Sequence, residues 1–173
     1  MTLVVADTGP IRYLLVIGAI DVLHRLYDRV YLPASVRREL TDEHAPGLVR
    51  SWALNPPSWV EICEVECAVA LMDLDVGEAD AISLAQTIGA DWILLDEREG
   101  RDRALALKLR VSGTVGVLEK AAEVGLVNLS EAFAKLRRAN FRIAQQALRE
   151  ALERDADRRS SSLGRTNPDL PPA

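Results

Sequence analysis

Two short apolar runs that each end on an acid constrain this chain more than any other feature: LVVAD at 3–7 and ADWILLDE at 90–97. Unbroken apolarity, without the alternation of a half-exposed strand, reads as a strand covered on both faces. Such strands need a helical layer above and below, and helix-period segments follow each run. Behind Thr-Gly-Pro, IRYLLVIGAIDVL reads as one helix. RVYLP (29–33) reads as a second strand, with Pro33 opening the helix ASVRREL in the first-turn position that proline tolerates. Between 45 and 58, Pro46, Gly47, Pro56 and Pro57 bracket a small helix, and WVEICEV (59–65) reads as an edge strand. A second cycle follows: a helix over 77–89 stopped by Gly89, the strand ADWILLDE, a helix over 99–110, a short strand at Val111 and a helix over 113–125 closed by Gly125. Ser130 is expected to cap SEAFAKLRRAN, and a last helix is expected over 142–155. Strands alternating with helices predict an α/β fold with a mostly parallel sheet and helices on both faces.

The chain is long enough for one sizeable core and short for two, so one domain over 1–157 is expected, followed by a flexible polar tail over 158–173 rich in Ser and Pro. No uncharged apolar run approaches the roughly 18 residues of a membrane span, and the opening MTLVVAD lacks a basic leader, so a cytoplasmic protein is expected. Cys63 and Cys67, with only His24 and His44 beside them, do not assemble a zinc quartet. The net charge of -5 argues against binding nucleic acid by bulk electrostatics, but it hides a segregation. Nine acids stand between positions 73 and 102 against Arg98 and Arg101; from 103 to 159 twelve Lys and Arg outnumber seven acids. An acidic centre followed by a basic arm suits a metal site with a polyanion held nearby.

In a parallel sheet, ligands collect beyond the carboxyl ends of the strands, where Asp7 and Asp96 stand. An acid there is poorly solvated and close to like charges unless a cation or proton compensates it, although each acid taken singly is equally explained as a cap for the helix that follows. Glu39 lies at the edge of the apolar stripe of its helix. Glu78, in a first turn, shares its helical line with Ile82 and Ala85, while Asp80, about 200° away, is expected on a more mixed face and off the site. Four carboxylates from separate segments suit a hard divalent cation, Mg²⁺ or Mn²⁺, and metal-assisted phosphodiester cleavage. No GxSxG elbow, Walker A loop or HExxH helix is present, and GTVG at 113–116 lacks the rest of a dinucleotide fingerprint. A phosphoacceptor receiver would need an acidic pair near the first strand and a late-strand lysine, and a haloacid-dehalogenase-type phosphatase would need DxD where this chain has DTG.

Asp7 in VVADTGPI, Glu39 in LPASVRREL, Glu78 in GEADAISLA and Asp96 in WILLDEREG, in that order and spacing, resemble the PIN domain of nucleases, and in particular the PIN-like proteins related to toxins of bacterial and archaeal toxin–antitoxin pairs. The resemblance spans residues 3 to about 125 and extends to the helices ending near 155. It implies a three-layer α/β/α fold with a sheet of four to five strands and C-terminal helices. It also implies a metal-dependent endoribonuclease, with Asp7, Glu39, Glu78 and Asp96 as catalytic metal ligands and Glu99 as a further ligand. Thr8, Arg101, Arg137 and Arg138 would contact RNA, an antitoxin would be the protein partner, and the protein would be a homodimer. The chain departs from the commoner pattern in having Glu at 78, where many relatives have Asp, and in lacking an Asp-Phe pair around 99. The rival reading is a catalytically silent PIN-like module that binds a protein partner or RNA.

Overall fold

The computed structural model describes residues 2–65, 73–142 and 145–163, so Cys67 and positions 164–173 lie outside the described residues. Five strands form a parallel sheet in the order β3-β2-β1-β4-β5: β1 (Leu3–Ala6), β2 (Arg29–Pro33), β3 (Val60–Cys63), β4 (Trp92–Leu94) and β5 (Val111–Ser112). Val4 lies between Val30 and Trp92 in register, and Val30 pairs onward with Val60. From β1 the chain builds outward to β2 and β3 on one side, and returns to place β4 and β5 on the other. The junction of β1 and β4 is therefore the topological switch, with Asp7 and Asp96 at its carboxyl end.

Successive strand residues feed opposite cores, as the uninterrupted apolar runs require. Val4, Ala6 and Leu94 enter a core with α1 (Thr8–Val16), α2 (Val22–Leu26), α3 (Ala34–Leu40), α4 (Gly47–Leu54), α7 (Thr114–Glu123), α8 (Leu129–Arg138) and α9 (Gln145–Leu163). Val5, Ile93 and Leu95 enter a second core with α5 (Val76–Ile88) and α6 (Arg98–Ala106). The fold is thus the three-layer α/β/α arrangement. Fully buried Ile11, Leu14, Ile82 and Phe133 each contribute about 1.5–3 kcal/mol of burial. Among the described residues no helix is long and apolar enough to cross a membrane.

Several local expectations are corrected. The segment after β1 is two helices, because Gly18 adopts φ 72° and its N–H, with that of Ala19, closes on the carbonyls of Leu15 and Leu14. The helix expected over 99–110 ends at Ala106, ahead of Lys108 at φ 63°. Ser130 does not cap α8; Asn128 does, its Oδ1 accepting the Glu131 N–H at 3.2 Å, so Ser130 sits within the first turn. The last helix continues past the expected tail boundary to Leu163. Arg158 joins Asp155 at 2.8 Å and Glu123 at 3.0 Å, fastening that end of α9 to α7.

Candidate active site

Asp7 follows β1 directly, and its N–H donates to the Leu94 carbonyl at 3.1 Å, which fixes it beside the end of β4. It occupies the N-cap position of α1, yet its side chain makes no capping hydrogen bond, so helix capping does not explain it. The residue is 5% exposed, and Oδ1 is buried without a hydrogen-bond partner among the described residues. Burial pushes the carboxyl up to about 8; the Thr8 N–H pulls the other way, and Asp75, Glu39 and Glu78 add repulsion.

Glu78 is placed by Asp75, whose Oδ1 accepts the Glu78 N–H at 2.8 Å as the N-cap of α5. It is 4% exposed, and its Oε1 is also buried and unpartnered. Burial, then Asp75, Glu97, Glu99 and Glu39, push its carboxyl up to about 7. Glu39, near the end of α3, is exposed at the mouth of the cleft and accepts a hydrogen bond from the Thr8 hydroxyl. Desolvation raises its carboxyl too, opposed by the Thr8 hydroxyl.

Asp96 accepts from the Thr114 N–H at 2.7 Å and from its hydroxyl at 2.6 Å, supplying at the start of α7 the cap that Gly113 lacks a side chain to make. Its carboxyl is raised by burial against the pull of Thr114 and Arg101. Capping thus accounts for part of Asp96, although the helix it serves lies 18 residues further on.

Glycines bring helix backbone against these oxygens. A Cβ on Gly77 would stand 2.7 Å from Glu39 Oε1 and 3.1 Å from Asp7 Oδ1, and one on Gly100 would stand 2.5 Å from Glu78 Oε1. Only a residue without a side chain admits the carboxylates at both places. Asp7, Glu39 and Glu78 thus stand close enough to repel one another, and Asp96 lies beside them across Gly9, where a Cβ would be 3.3 Å from Asp96 Oδ2. Among the described residues no group of three or more His, Cys, Asp or Glu is placed so that it could hold a metal ion as it stands. The donor set nonetheless fits a hard divalent cation, because two buried carboxylate oxygens have no other partner and all four acids are raised by burial.

The remaining expected residues divide. Glu99 is exposed in the first turn of α6 and acts on Glu78 through its charge. Arg101 donates to the Leu95 carbonyl at 2.7 Å beside Asp96. Arg137 and Arg138 are exposed in the last turn of α8, and Arg138 lines a different depression with Val16 and Leu48. Asp80, expected on a more mixed face, is instead buried: it is 8% exposed and accepts from the Ser35 hydroxyl at 2.5 Å, since α5 is buried from Gly77 to Ala85 between the sheet, α3 and α6. Asp75 and Thr114 were missed. The Asp-x-x-Glu pattern of a helix start pointed to Asp75; no local pattern joins Thr114 to Asp96.

The chain is a parallel α/β sheet with acids at its switch point, two of them carrying buried oxygens without a partner among the described residues. A family model of the PIN domain matches residues 3–157, and the chain belongs to the PIN-domain family. Nuclease-type function with divalent metal, acting on nucleic acid, goes with that family in general. No curated protein matches the chain.

Proposed function

We propose that this protein is a Mg²⁺- or Mn²⁺-dependent endoribonuclease that hydrolyses RNA phosphodiester bonds, serving as the cytoplasmic toxin of a toxin–antitoxin pair. One observation carries the metal-dependent reading: Asp7 Oδ1 and Glu78 Oε1 are buried without partners beside two more carboxylates, an arrangement that a cation satisfies. Asp7, Glu39, Glu78 and Asp96 hold the ion, with Glu99 at the rim. Once bound, it supplies Lewis acidity toward the phosphodiester. Thr8 orients Glu39, Thr114 orients Asp96, and the Asp75 cap fixes the register of Glu78. Arg101, held by Leu95, meets phosphate beside Asp96, Thr8 borders the path of the strand, and Arg137 with Arg138 extends the RNA surface along α8. RNA rather than DNA, and an antitoxin partner, follow from the resemblance to toxin-related PIN proteins. A homodimer follows from the same resemblance.

Incubating single-stranded RNA with the protein and Mn²⁺ or Mg²⁺ tests this. Internal cleavage that EDTA stops, with single-stranded DNA of the same sequence left intact, is expected. Cleavage that persists in EDTA counts against the metal mechanism, and equal cleavage of DNA against RNA as the substrate.

A further inference from the structure

Two depressions each include one of the four acids. One, of about 340 Å³, is lined by Thr8, Arg12, Glu39 and His44. The other, of about 410 Å³, is lined by Asp96, Arg101, Phe141 and Arg142. The start of α1 reaches both sets of acids: the Thr8 hydroxyl bonds Glu39, which lines the first depression, and a Cβ on the next residue, Gly9, would lie 3.3 Å from Oδ2 of Asp96, which lines the second.

Each depression joins a cation to a ring, the pairing that grips a single strand by backbone charge and base stacking. Arg12 stands one turn beyond Thr8 on α1, exposed and, among the described residues, unpaired with any carboxylate. His44 lies beside it, exposed and bonded to Asp42 at 2.9 Å. On the other side Arg101 is fixed by the Leu95 carbonyl and Arg142 is exposed, while the Phe141 ring is held edge-on to Tyr13 with centroids 4.5 Å apart. The acids between repel a polyanion, so cations on both sides are what retain an RNA backbone across them. A duplex carries its phosphates on a rigid cylinder and cannot lower one toward carboxylates that are 5% and 4% exposed, whereas a single strand bends to do so.

We propose that these depressions are two nucleotide subsites, one on each side of the scissile phosphate: Arg12 with His44, and Arg101 and Arg142 with Phe141. They take an internal stretch of single-stranded RNA. This rests on the nuclease reading and adds to it the substrate form and the residues that hold it.

The test is fluorescence anisotropy of the full chain with a fluorescein-labelled single-stranded RNA of about eight nucleotides, within the site sizes of single-strand binders. Ca²⁺ replaces Mn²⁺ so that binding is read without cleavage. Arg12→Ala and Arg142→Ala are each expected to weaken binding about fivefold to tenfold and to lower the salt slope by about 0.7. Arg12→Lys and Arg142→Lys keep the slope. His44→Ala and Phe141→Leu weaken binding by roughly tenfold with the slope unchanged. Arg25→Ala, in a separate depression with Asp21 and Glu131, changes neither. Unaltered affinity and slope in both alanine variants would overturn the subsites, as would equal binding of duplex RNA; tighter binding of single-stranded DNA would overturn the choice of RNA. Arg12, His44 and Arg142 are exposed, so their variants should unfold at the wild-type midpoint. Absent cleavage with Mn²⁺ would defeat the nuclease reading without moving these affinities.

Discussion

Asp7→Asn should stabilise the metal-free protein, and by an amount that depends on pH. In the folded state the Asp7 carboxyl sits at about 8 against an ordinary 3.8. Near pH 4 it is protonated when folded and about half protonated when unfolded, so the neutral amide changes little. As pH rises from 4 to 8 the unfolded chain sheds the proton while the folded chain retains it, and wild-type stability falls relative to the variant. A gap of about four pKa units corresponds to roughly 5 kcal/mol at full ionisation. Shared titration with Glu39 and Glu78, together with water penetration, leaves about 2–3 kcal/mol. For a chain of this size that is about 5–10 °C in unfolding midpoint at pH 8, and about 1 °C or less at pH 4. Thermal unfolding of both proteins in EDTA at the two pH values measures it. A variant less stable at every pH, or a difference that pH does not alter, would refute the reasoning and make Asp7 a structural residue.

Gly77→Ala should keep stability within about 1 kcal/mol, because alanine favours the helix and the crowded atom is the far end of Glu39, yet it should abolish cleavage by displacing that carboxylate; unfolding midpoint and initial rate check the two halves. Glu78→Gln should abolish cleavage at saturating Mn²⁺, whereas Asp80→Asn should retain most of it and lose about 1–3 kcal/mol through the weakened bond to Ser35, as rates and melts on both variants will show. Deleting 158–173 removes Arg158 and Arg159, both paired with the buried Asp155, and the Arg158 bridge to Glu123, and should cost about 3 kcal/mol, read as a lowered unfolding midpoint.

The parallel sheet was legible because its strands are buried on both faces, and burial writes itself into sequence as unbroken apolar runs such as LVVA and WILL. The helix Val76–Ile88 was legible too, since Gly89 closes it at φ 62°. Asp80 was misread because a helix wheel assumes one buried face, and α5 has cover on nearly all sides. Thr114 was invisible for a different reason: its bond to Asp96 exists only once β4 and the start of α7 are adjacent. Arg12 was not singled out, because an isolated arginine on an otherwise apolar helix carries no local pattern; only the fold sets it in one depression with Thr8 and Glu39. The candidate acids could be listed from the chain, but the crowding of Asp7, Glu39 and Glu78 against Gly77 and Gly100 is a property of the assembled layers.

Whether the carboxylates at the β1–β4 switch form a divalent-cation site is decided by a Mn²⁺ titration followed by the electron paramagnetic resonance signal of the free ion. Saturable uptake of Mn²⁺ by the wild-type protein, lost when Asp7→Asn and Glu78→Gln are combined, is the predicted result. No uptake at millimolar Mn²⁺, or equal uptake by the double variant, would contradict it.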